Sequence, residues 1–144
     1  MKPHGSKCDY ENERNHDLLR VFRELVEAAD VVCLPEIYEK VVNMPSARFW
    51  VSEERAGIVI SAMMKGRKLK GMRKNKREMF REIYKRAMQI HKRHPEMTHF
   101  DLAMEVVRQP APKFYLSPGS AEIYILKVKK QWYEERKRKL RHLF

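Results

Sequence analysis

A chain of 144 residues with 43% hydrophobic residues is long enough for one domain with a core, or two very small ones, and too apolar for wholesale disorder. Lysine and arginine number 31 against 19 acidic residues, and the resulting charge of +12 asks for a polyanionic partner. The longest uncharged apolar run, 57–64, falls far below the roughly 18 residues of a membrane span, no leader-like apolar stretch follows the first residues, and Cys8 and Cys33 have no disulfide or metal spacing. A reduced, cytoplasmic protein without membrane contact is expected.

Taken in chain order, 1–12 reads as a flexible N-terminus. A first helix is expected over 13–29, with Leu18, Phe22, Leu25, Val26 and Ala29 at helical spacing. A second follows over 34–43, with Pro35 near its first position and Pro45 ending it. Arg48-Phe-Trp-Val51 is a short extended piece, and Ser52 is an N-cap for a third helix carrying Ala56, Ile60 and Met63 on one stripe. A basic linker over 66–77 comes next. The same order then recurs: helices at 78–93 and 99–108, the extended piece Lys113-Phe-Tyr-Leu116, and a third helix after Ser117 with Ala121, Ile125, Val128 and Trp132 on its stripe.

The recurrence has a fixed offset. Shifting the chain by 65 residues gives nine ungapped identities over 41–65, among them Pro45/Pro110, Phe49/Phe114, Ser52/Ser117, Ala56/Ala121 and Ile58/Ile123. Chance would give about one or two. The fold expected is therefore mainly α: two tandem trihelical repeats, 13–65 and 78–130, related by a pseudo-twofold, with a basic helical extension over 131–144. Under that symmetry 48–51 and 113–116 are expected to meet as a short antiparallel pair, which would satisfy their backbone groups.

No residue set supports a reaction. Phosphate-loop, nucleophile-elbow and His-Glu-x-x-His patterns are missing, and Glu53 and Glu54 sit where a helix dipole favours acids. His91, His94 and His99 lack a Cys or carboxylate at ligand spacing. Neither catalytic residues nor a metal or cofactor are expected.

Charge is unevenly placed. Residues 1–64 have a net charge of −3, residues 65–94 of +11 and residues 95–144 of +4. Lys65, Arg67, Lys68, Lys70, Arg73, Lys74, Lys76 and Arg77 crowd thirteen positions with no acid among them, and Arg81, Lys85, Arg86, Lys92 and Arg93 continue the run. Such density binds phosphates by releasing condensed counterions and needs little geometry. Lys113, Lys127 and Lys130 add charge in the second half, and Ser117-Pro-Gly-Ser120 offers small residues and free N–H groups at a helix start. Trp50 and Tyr115, each beside a cation, either stack on bases or pack in the interior. The C-terminal helix is long enough to project as a nucleic-acid arm or to pair two copies through Leu140, Leu143 and Phe144.

Two helices followed by a third with a basic face resemble the helix-turn-helix class of DNA binders, by analogy alone. The connections 43–52 and 108–117 hold about eight residues, where that motif uses three or four. The expected function is non-enzymatic binding of nucleic acid, DNA ahead of RNA. An RNA- or ribonucleoprotein-binding module and an adaptor for an acidic protein partner are the alternatives.

Overall fold

The structure, a computed structural model, describes residues 7–141 and is mainly helical. Its helices are α1 (Lys7–Ala28), α2 (Leu34–Val42), α3 (Glu53–Met64), α4 (Lys74–Arg93), α5 (His99–Val107) and α6 (Pro118–Arg141). Three helices carry side-chain N-caps within the described residues, the one expected at Ser52 among them. Ser52 Oγ accepts the Arg55 N–H, Thr98 Oγ1 the Asp101 N–H and Ser117 Oγ the Ser120 N–H, each at 3.1 Å. Each satisfies one of the donors that a helix leaves open at its start.

Two boundaries differ from expectation. Helix α1 begins at Lys7 instead of residue 13, so Cys8 lies within it, and α4 begins at Lys74 instead of residue 78. The turn added to α4 is polar and the stretch added to α1 has only Cys8 and Tyr10 among polar residues, so no apolar stripe marks either in the sequence. The basic linker is thereby divided into a loop over 65–73 and the first turn of α4.

The larger difference lies in which helices touch. Helix α3 packs on α4 and α5, and α6 packs on α1 and α2. Each half lends its third helix to the other, so 13–65 and 78–130 are not separate packing units. One core gathers Phe49, Ala56, Val59 and Ile60 with Met79, Phe80, Ile83, Leu102 and Val106. The second gathers Phe114, Ala121, Ile125 and Val128 with Leu18, Val21, Phe22, Ile37 and Val41. An extended chain from residue 43 to 52 reaches about 30 Å, enough to cross from one core to the other.

The two connections cross at an isolated antiparallel bridge. The Ser46 N–H donates to the Ala111 carbonyl at 3.0 Å, and the Ala111 N–H to the Ser46 carbonyl at 3.1 Å. Beside it, the Phe49 N–H donates to the Val107 carbonyl and the Phe114 N–H to the Val42 carbonyl, at 3.1 and 3.0 Å. These two bonds are 65 residues apart at both ends. The expected pairing of 48–51 with 113–116 is thus replaced by pairing at Ser46 and Ala111. Phe49 and Phe114 instead spend their N–H groups on the unsatisfied last carbonyls of α5 and α2, which seats each ring in the opposite core. Asp17 of α1 holds the crossing from one side: its Oδ2 accepts the Ala47 N–H at 2.8 Å, while Oδ1 accepts from Arg20 Nη2 at 2.7 Å.

Tyr115 marks the second crossing. Its φ of +57° places a bulky residue in the left-handed region that favours glycine, at a cost of about 1–3 kcal/mol. Burial against Phe49, with ring centroids 6.1 Å apart, holds it there. Its phenol is pushed up to about 12, first by burial and then by Glu82, against the lowering pull of Arg86, with Glu78 adding to the rise. The unfolded phenol, near 10, ionises first, so stability falls as pH rises between these two values. Melting temperature followed from neutral pH through this window is expected to fall less steeply in Tyr115→Phe than in wild type; equal slopes would remove Tyr115 as the cause.

Candidate nucleic-acid interface

The basic loop begins where α3 ends. The Gly66 N–H donates to the Met63 carbonyl and the Arg67 N–H to the Ala62 carbonyl, at 3.0 and 3.1 Å, with Gly66 at φ +82°. This is a Schellman closure, which needs a left-handed residue after the last helical turn, and glycine supplies it without a Cβ clash. Gly71, at φ +78°, makes the second reversal. Between and beyond these turns, Leu69 and Met72 pack against the core of α3, α4 and α5. They are the only large apolar residues in the run, and they pin the loop to the protein.

With both anchors turned inward, the cations face out. Lys65, Arg67, Lys68, Lys70, Arg73, Lys74 and Lys76 are exposed, and Arg77 is half-buried. No ion pair among the described residues takes up any of these eight charges. Arg81 and Lys85 extend the exposed face along α4. Helix α4 has no side-chain cap and no acid in its first turn, whereas α3 and α5 have both. Lys74, Lys76 and Arg77 thus stand at a helix N-terminus, where the dipole already repels cations. An external anion at this end would relieve that repulsion.

Other residues singled out in the sequence have internal work. Arg86 bonds Glu82, Gln109 and the Pro110 carbonyl, and lies 4.9 Å from the Phe49 ring centre. Lys113 Nζ lies 2.7 Å from Glu78 Oε2, and this bond holds the Glu78 carboxyl below the usual carboxylate range. The free N–H groups expected at Ser117 and Ser120 are largely consumed. Ser117 Oγ takes the Ser120 N–H, the two hydroxyls bond at 3.0 Å, and Pro118 has no N–H to offer. Lys127 and Lys130 are both exposed, but α6 belongs to the other three-helix group, so they do not extend the loop's surface.

The two aromatic candidates are engaged in packing. Tyr115 is buried as described, and Trp50 is half-buried against the α1/α2/α6 core, stacked on Tyr10 with centroids 6.5 Å apart. Arg48 lies 5.3 Å from the Trp50 ring centre, and Arg14, only 4% exposed, lies 4.0 Å from that of Tyr124. Trp132, expected on the buried stripe of the last helix, is instead 40% exposed, because that stripe is covered by α1 and α2 only as far as Val128. Leu140 is also exposed; Leu143 and Phe144 lie outside the described residues.

Among the described residues, no group of three His, Cys, Asp or Glu side chains is placed to hold a metal ion, and no helix is long and apolar enough to cross a membrane. Comparison with protein-family models, with curated proteins and with solved structures returned no match.

Proposed function

We propose that this is a non-enzymatic nucleic-acid-binding protein that holds duplex DNA, ahead of RNA, through the phosphates, using the loop over 65–73 and the first turn of α4. One observation carries the reading: eight cations on an anchored loop and an uncapped helix start, none of them ion-paired within the described residues. A solvated surface loop has no need of two apolar anchors, nor of cations placed against a helix dipole. Phosphate oxygens accept from such donors at many angles, so the surface suits binding with little base discrimination. The 65-residue correspondence, with the third helices exchanged, supports a duplicated trihelical unit as the origin of the scaffold.

The test is a titration of the nuclease-treated protein with duplex DNA and with single-stranded RNA across a range of salt concentrations. The logarithm of the binding constant is expected to fall linearly with that of the salt concentration, by about 0.9 for each phosphate neutralised on the duplex, with tighter binding to DNA. Absence of binding to either at low salt would transfer the basic surface to an acidic protein partner.

A further inference from the structure

Between α1 and α6 the structure has an open groove of about 330 Å³, walled by Phe22, Val26, Trp132 and Tyr133 and edged by Arg23 and Lys129. We infer that this groove is a stacking site for an unpaired base of a single-stranded nucleic acid, with Arg23, Lys129 and Arg136 taking the flanking phosphates. The inference rests on the proposed nucleic-acid function and adds a second surface to it, on the three-helix group that lacks the basic loop.

The aromatic rings carry the site. Trp132 and Tyr133 are 40% and 60% exposed and meet edge to face with centroids 5.3 Å apart. Rings of this size normally bury most of their area, and these lie where the core beneath α6 has already ended. Trp50 and Tyr115 are committed to packing, whereas Trp132 and Tyr133 stay exposed, Trp132 with Arg136 beside its ring.

The charges select the occupant. Lys129 Nζ lies 4.3 Å from the centre of the Phe22 ring on the groove wall, and Arg136 Cζ lies 4.7 Å from that of Trp132. None of Arg23, Lys129 and Arg136 has an acidic partner among the described residues. Against them the groove has one carboxylate, Glu27, while Glu134 and Glu135 follow on α6. A π-face between cations is what a base with its two phosphates requires, and stacking tolerates any base. A second copy fits less well, since pairing two α6 ends brings together two runs of Arg136-Lys-Arg-Lys139.

The experiment compares the full-length wild type with the double variant Trp132→Leu, Tyr133→Leu, using oligothymidylate, oligouridylate and a DNA duplex as probes. The variant is expected to lose about tenfold or more in affinity for single strands while keeping its helix content, its duplex affinity and its salt slope. Wild-type tryptophan emission is expected to be quenched by oligothymidylate, and the variant, which keeps Trp50, to lose that quenching. The better of the two single-stranded probes identifies the occupant as DNA or RNA. Single-strand affinity unchanged in the variant would overturn the groove and leave the basic-loop reading standing. Unchanged affinity together with a halved sedimentation mass would assign the groove to a second copy. A wild type that binds neither single strands nor duplex would overturn both readings.

Discussion

Replacing Arg67, Lys68, Lys70, Arg73, Lys74, Lys76 and Arg77 together with Gln is expected to reduce duplex affinity by about 10³-fold or more at moderate salt, and to flatten its salt dependence. Every cation–phosphate pair that the substitutions abolish takes about 0.9 off the slope of log affinity against log salt. The fold is expected to survive. Six of the seven side chains are exposed, none is ion-paired among the described residues, and Leu69 and Met72 remain to hold the loop. Surface changes of this kind stay within about half a kcal/mol each, and removing cations from the start of α4 relaxes an unfavourable dipole interaction. Thermal melting and circular dichroism check the fold; a binding titration at several salt concentrations checks the phosphate pairing. A folded variant with wild-type affinity and slope would show that the loop is not the binding surface.

Cutting the chain between Arg73 and Lys74 is expected to leave neither part folded as a monomer. The first part keeps α1 and α2 but loses Phe114, Ala121, Ile125 and Val128, which fill their core from α6 and the segment before it. The second keeps α4 and α5 but loses Phe49, Val51, Ala56, Val59 and Ile60. Removing one buried phenylalanine side chain alone costs about 3–5 kcal/mol, against a total stability of about 5–15 kcal/mol for an ordinary domain. Mixed in equal amounts, the two parts are expected to regain helicity and to sediment as a one-to-one pair, because the four crossing backbone hydrogen bonds and both cores reform between them. A first part that folds alone as a monomeric three-helix unit would contradict the exchange.

The apolar stripes of α1 to α5, the caps at Ser52, Thr98 and Ser117, and the stops at Pro45 and Pro110 are local features. They depend on 3.6-residue spacing and on side chains that reach the neighbouring backbone. The crowding of eight cations with Leu69 and Met72 as the only large apolar residues is equally a property of the string, and it places the candidate surface before any fold is known. Partner choice is not local. The stripe of α3, built on Ala56, Val59 and Ile60, matches that of α6, built on Ala121, Ile125 and Val128, closely enough that periodicity fits either helix to either core. The straight reach of the connection and the bond from the Phe49 N–H to Val107 decide the exchange in space. The same exchange puts Tyr115 in the interior, and the core that ends at Val128 leaves Trp132 at a groove. An aromatic residue in a sequence has no address until the helix beside it is known, so burial of Trp50 and Tyr115 and exposure of Trp132 and Tyr133 were settled by tertiary packing, while the location of the charge was settled by the sequence.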